Sequence, residues 1–238
     1  MRITHTILCW IFILLFPVLL ISAVVKIETQ CLPFYQYQYE KNHISEVTGF
    51  SNEELMHITR HLVQFFNNKV ESAQLIVEKN GKPFYLFHDY EIVHLNDVKI
   101  IFHYTYQALA IALFYFIAYL IFTMISRNKN RWYYFWKGLR NGNILTLVLL
   151  IVLGIAVFLG FNNIFIKFHY LVFGDPASSP WILDARTDYL IMMYPLNFWQ
   201  DAVILGIVIT IITALLLALI SSLVLPVYHS RGSSHYRR

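Results

Sequence analysis

Residues 202–225 read AVILGIVITIITALLLALISSLVL and contain no Asp, Glu, Lys or Arg. A bilayer core of roughly 30 Å needs about 20 apolar residues to cross it as a helix, so this run spans a membrane. Working outward, three more charge-free runs of sufficient length follow the same logic: 7–25, 106–125 and 144–161. In lipid each backbone must satisfy its own hydrogen bonds, so each is read as a helix, with Pro17 bending the first rather than breaking it. The whole composition agrees. Of 238 residues, 58% are apolar and 13% charged, whereas a soluble domain runs near 45–50% and about 25%. Four crossings leave too little chain for a large soluble enzyme domain, and the charge is too sparse for a nucleic-acid binder.

Orientation follows from the Lys and Arg counts of the connections. The link 126–143 carries Arg127, Lys129, Arg131, Lys137 and Arg140 without an acid. With Arg2, Arg231, Arg237 and Arg238 at the ends, these stretches hold nine bases and no acids, while 26–105 and 162–201 hold all 14 acids and nine bases. Both termini are therefore expected in the cytoplasm and both acidic segments outside. The first apolar run, at 19 residues, exceeds the usual 7–15 of a signal peptide and lacks a small-x-small cleavage pattern, so it reads as an uncleaved anchor. Cys9 and Cys31 stand on different sides of that reading and form neither a disulfide framework nor a metal site. The stretch from Arg131 to Lys137, with Trp132, Tyr133, Tyr134, Phe135 and Trp136 between, reads as an interfacial belt on anionic lipid.

The 80-residue outer segment is too long to lack structure of its own. Ser51-Asn52-Glu53-Glu54 is a capping box, and Leu55, Ile58, Leu62, Phe65 and Phe66 follow at helical spacing, which predicts an amphipathic helix over about 52–67. Asn80-Gly81 between 74–78 and 83–87 predicts a tight hairpin. Together they make a small α+β cap. Beyond the hairpin, Glu91, His94 and Asp97 recur every third residue on the approach to the second membrane helix, one face if that stretch is helical. A carboxylate one turn from an imidazole can fix its tautomer. The 40-residue second outer segment has nine aromatics and a single histidine, His169, between Phe168 and Tyr170.

Candidate chemistries narrow quickly. His57 and His61 have zinc-ligand spacing, but Ile58 stands where an H-E-x-x-H site needs its Glu, and Arg60 beside the pair disfavours a cation. No outer serine sits in G-x-S-x-G, and no glycine-rich phosphate loop is present. Transport finds no charged residue in the membrane runs and no inverted repeat. There remains histidine acid/base chemistry at the outer leaflet, suited to a substrate that brings its own nucleophile.

The order Glu91-x-x-His94-x-x-Asp97-Val98-Lys99, then Phe165-x-x-Phe168-His169-x-x-x-Phe173, Trp181-x-x-Asp184, Asp188-x-Leu190-Ile191 and Pro195 resembles the lipoprotein intramolecular transacylases, Lit, over essentially the whole chain. The resemblance implies a four-helix α-helical membrane protein with an extracellular cap. It also implies an enzyme that moves the sn-2 acyl chain of a diacylglyceryl lipoprotein to the α-amine of its N-terminal cysteine, giving a lyso-form product. The amine is then the nucleophile. Two family histidines correspond to His94 and His169, one taking the amine's proton and one protonating the leaving glyceryl oxygen; which does which stays open. Glu91 or Asp97 would orient His94, and Phe168, Tyr170, Phe173 and Trp181 would wall the substrate pocket. Diacylglyceryl lipoproteins and membrane lipid are the expected partners, with no metal, cofactor or nucleic acid, in the membrane of a bacterial cell. A non-enzymatic cap that binds lipoproteins or assists membrane assembly is the alternative.

The expected organisation is an anchor helix over 1–25, a cap over 26–105, and two membrane helices with a basic link over 106–161. An aromatic outer loop over 162–201 follows, then a last helix and tail over 202–238.

Overall fold

The computed structural model describes residues 2–79 and 81–233, so Asn80 of the hairpin, and Arg237 and Arg238 of the basic tail, lie outside the described residues. Four helices are long and apolar enough to cross a membrane: α1 (Arg2–Glu28), α5 (Asp89–Ile125), α6 (Arg131–Phe173) and α8 (Leu196–Ser233). Their flanks present large apolar side chains outward, with Phe114 75% and Phe158 89% exposed. Water would penalise that surface and lipid does not. The chain is a multi-pass membrane protein.

The residues cluster into two compact units. One comprises the N-terminal residues through Val25, Thr105–Ile155 and the chain from Leu205 onward; the other comprises Lys26–Tyr104 and Ala156–Ile204. At about 1.5 Å per residue, α5 with 37 residues and α6 with 43 are longer than a bilayer requires. Each supplies residues to both units.

In the first unit, Phe12, Phe16, Tyr119, Phe135 and Leu139 form an aromatic core. This corrects two expectations. The basic link shrinks to a short break, because α6 begins at Arg131, and Phe135 is core rather than belt, 5% exposed beside Phe12, Phe116 and Tyr119. Seven residues with two bases looked interfacial, yet at helical pitch one face of them turns inward. Gly138 and Gly142, four apart on that helix, admit α1. A Cβ on Gly142 would stand 2.7 Å from the Phe16 Cβ, the close backbone approach that small residues permit between membrane helices. Gly142→Ala should therefore destabilise this contact by about 1–3 kcal/mol, read as a lower unfolding temperature in detergent, whereas Gly154→Ala, with open space around it, should not.

The second unit contains the shorter elements α2 (Leu32–Lys41), α3 (Ile44–Thr48), α4 (Asn52–Phe66), β1 (Ile76–Lys79), β2 (Lys82–Tyr85) and α7 (Tyr189–Met193). The capping box is formed in both directions: the Ser51 hydroxyl accepts from the Glu54 N–H, and the Glu54 carboxylate accepts from the Ser51 N–H. α4 buries Leu55, Ile58, Leu62 and Phe65, the periodic residues. β1 and β2 pair antiparallel with Lys79 opposite Lys82, and Gly81 takes the left-handed φ of +74° that the two-residue turn needs. Tyr194 joins this core through hydroxyl contacts with Tyr39 at 3.0 Å and Thr59 at 3.3 Å. Lys41 and Gln38 on α2 reach Asp201 at the start of α8. The second outer segment is not the loop its aromatics suggested, since α6 continues to Phe173 and carries His169 on a helix.

Candidate functional site

The beginning of α5 is fastened before any chemistry is reached. Glu91, 0% exposed, accepts from the His88 backbone N–H at 2.7 Å and the Leu190 N–H at 2.8 Å, and its Oε2 lies 3.0 Å from His88 Nδ1. Next to it Asp188, 2% exposed, accepts from the Tyr90 hydroxyl at 2.6 Å, the Thr187 hydroxyl at 2.8 Å and the Asp184 N–H at 2.7 Å. Burial pushes the Asp188 carboxyl up, but these donors and His88 outweigh it and hold it below the usual range. The donor atoms of His88, Glu91 and Asp188 lie within 4.8 Å of one another, near enough for a cation. Each carboxylate oxygen already accepts an N–H or O–H, and the cluster works as a hydrogen-bonded hub joining α5 to the segment before α7.

One turn beyond Glu91 stands His94. It lies 12 residues ahead of the charge-free run that begins at 106, and His169 lies eight past the run that ends at 161. Phe165, His169 and Phe173 are spaced by four on α6, and the last two face His94. The two imidazole centroids are 6.0 Å apart, and Phe173 touches both, at 5.1 Å from His94 and 5.4 Å from His169. Phe165 lies 4.1 Å from His169 and Trp181 5.3 Å. The imidazoles are only 7% and 8% exposed, and burial on this scale favours uncharged rings.

The two histidines differ in what they hold. His169 Nδ1 is 2.7 Å from the Phe165 carbonyl oxygen; a carbonyl can only accept, so Nδ1 carries the hydrogen and neutral His169 keeps its lone pair on Nε2. His94 Nδ1 is buried and has no hydrogen-bond partner among the described residues. An unpaired buried ring nitrogen is costly.

Neither expected supporting carboxylate hydrogen-bonds His94 among the described residues. Glu91 is turned to His88 and Leu190, and Asp97 Oδ2 accepts from the Ser179 hydroxyl at 2.5 Å. Spacing placed them on one face, but each carboxylate finds donors on another segment. Of the expected walls, Phe173 and Trp181 are half-buried against the histidines. Phe168 and Tyr170 are 47% and 52% exposed, Phe168 edge-on to His169 at 5.7 Å and Tyr170 edge-on to Trp181 at 4.8 Å. Phe165, His88 and Asp188 were missed as contributors, although Phe165 already stood four residues before His169 on one helical face. A cavity of about 360 Å³, lined by Asn68, Asn96, Lys99, Ile100, His103 and Tyr104, lies elsewhere on α5 and does not include the pair. His57 is exposed and His61 is bonded to the Ser72 carbonyl.

Comparison with known proteins bears on this arrangement. The fold matches the in meso structure of the membrane integral lipoprotein intramolecular transacylase Lit from Bacillus cereus, with a TM-score of 0.76 at 15% identity, covering 98% of this chain and 99% of that one. A variant of that protein with one histidine replaced by alanine matches at a TM-score of 0.74 and 16% identity, covering 97% and 96%. An uncharacterized protein of Aquifex aeolicus (strain VF5) is 26% identical over 209 residues, 87% of this chain and 89% of its own length. The model of the family described as lipoprotein intramolecular transacylase Lit matches residues 7–199. By that match across four-fifths of its length, the chain belongs to the lipoprotein intramolecular transacylase family.

Proposed function

We propose that this protein moves the sn-2 acyl chain of a diacylglyceryl lipoprotein onto the α-amine of the lipoprotein's N-terminal cysteine, leaving a lyso-glyceryl thioether. The observation that carries the reading is the pair of buried imidazoles, 6.0 Å between centroids, enclosed by Phe165, Phe173 and Trp181. The nucleophile in this reading is the substrate's own amine; Ser179 is bonded to Asp97 and Ser178 to the Asp175 carbonyl. The amine attacks the ester carbonyl, an N–C bond forms, the C–O bond to glycerol breaks, and the amine's proton ends on the glyceryl oxygen. His169 accepts that proton through Nε2; His94 presents a ring N–H to the oxygen that gains charge. Holding amine and ester together offsets the entropy of closing a medium-sized ring. The aromatic enclosure keeps out water, which would hydrolyse the ester. The basic link and tail against the acidic cap segments support cytoplasmic termini and an outward cap, with the site at the outer leaflet of a bacterial membrane.

A synthetic diacylglyceryl lipopeptide supplied to the purified protein tests this. Total mass stays constant because the reaction is an isomerisation, and tandem mass spectra should show fragments with an acyl group on nitrogen. Unchanged fragments with well-folded protein would sink the proposal and favour a non-enzymatic lipoprotein-binding cap. Conversion should persist in chelator and in His57→Ala, and loss in either would point to a metal-dependent hydrolase instead.

A further inference from the structure

The site is shut, yet its reactants must reach both imidazoles. What closes it is the segment after α6. Gly174, at a left-handed φ of +78°, stops that helix, and the following turn is bonded to itself. The Asp175 carbonyl accepts from the Ser178 and Ser179 N–H groups at 2.9 and 3.0 Å, and the Asp175 side chain accepts from the Ala177 N–H at 2.9 Å. The Trp181 indole donates to the Gly174 carbonyl at 3.1 Å. Trp181 rests on His169. A polar contact from 174–181 to α5 is the Ser179 hydroxyl on Asp97, three residues beyond His94.

Asp97 is a half-buried carboxylate that forms no ion pair among the described residues; Arg186, the cation of the neighbouring segment, is held by Asp184. The hydroxyl brings no charge of its own, whereas an ammonium on the same carboxylate oxygen adds the attraction of opposite charges to the hydrogen bond and competes for it. The substrate class under "Proposed function" carries such a cation, since a free α-amine of ordinary pKa is mostly ammonium at neutral pH.

Resting on that reading, we propose that Asp97 recognises the substrate's α-ammonium, and that Ser179 occupies this carboxylate in the empty protein, latching 174–181 over the histidines until the substrate displaces it. Asp97 thereby selects lipoproteins with a free amine over N-acylated ones, and Ser179 is a positioning residue. The proton released when the ammonium becomes a nucleophile passes to solvent or to the imidazole pair. Of the amine's two remaining hydrogens, one follows the route already described and the other stays on the amide nitrogen.

The test uses a dialkylglyceryl ether lipopeptide, which binds but has no ester to transfer, beside its N-acetylated form. Wild-type protein in detergent should bind the free amine on the order of tenfold more tightly. Asp97→Asn, which keeps a hydrogen-bond acceptor for Ser179 but loses the charge, should bring the ratio to about one. Ser179→Ala should keep or raise the preference. It should also speed diethyl pyrocarbonate modification of His94 and His169 several-fold relative to the exposed His57 in the same sample, with Ser179→Thr restoring the slow rate. An unchanged amine preference in Asp97→Asn, or an unchanged ratio of modification rates in Ser179→Ala, would overturn the proposal. Conversion of the ester lipopeptide by those same preparations would leave the transacylase reading standing, and absence of conversion beside an intact amine preference would do the reverse.

Discussion

His169→Ala is expected to lower conversion of a diacylglyceryl lipopeptide by a hundredfold to ten-thousandfold, the range over which positioned acid/base groups act, while the protein stays folded in the membrane. The reason lies in the tautomer. With Nδ1 committed to the Phe165 carbonyl, the proposed role of His169 rests on the Nε2 lone pair. His94→Ala should fall in the same range, and because the rings act as a unit the double variant should be hardly worse than either single one. Quantified N-acyl fragments over time check all three. Normal rates in either single variant would remove that residue from the chemistry.

Glu91→Ala is expected to be the most damaging substitution for the cap. It strips the acceptor from two backbone N–H groups and from the His88 ring, and a buried donor without an acceptor costs about 1–3 kcal/mol. The loss should total about 3–5 kcal/mol. Hydrogen exchange locates it: the amides of His88 and Leu190, bonded to Glu91 at 2.7 and 2.8 Å, should lose protection first. Retained protection at Leu190 would mean the segment before α7 is held by Asp188 alone. Activity should drop as well, since both His94 and the loop bearing Trp181 are set by this joint.

The membrane helices were legible because charge-free runs and lipid leave the backbone few choices, and the capping box with its periodic apolar residues placed α4 to within a residue. The helix carrying His169 was not legible as helix. Lys167, Asn162 and Asn163 end the apolar run, but they do not end the hydrogen-bond ladder, and Gly160 adopts φ 170° and ψ 79° inside α6. A bend there gives residues 161–173 their own direction without a break in the chain. The hydrogen-bond partners of Glu91 and Asp97 were not legible, because spacing along α5 says which residues share a face, but not which distant donors will claim them. Glu91 is claimed across 99 residues and Asp97 across 82. The acids that flank His94 in sequence proved to be the fasteners of the site's surroundings.

That 99-residue separation also has a bearing on how the protein is made. When α5 leaves the ribosome, the carboxylate of Glu91 has no Leu190 to accept from. At about 5–20 residues per second, the chain waits roughly 5–20 s before its partner is synthesised. During that interval the rest of α5, α6 and the segment 174–181 must be made, and the acid stays hydrated near the bilayer surface. The setting of the histidine pair is therefore completed late in biosynthesis, and a chain that ends before α7 would hold both imidazoles without the Leu190 bond to Glu91.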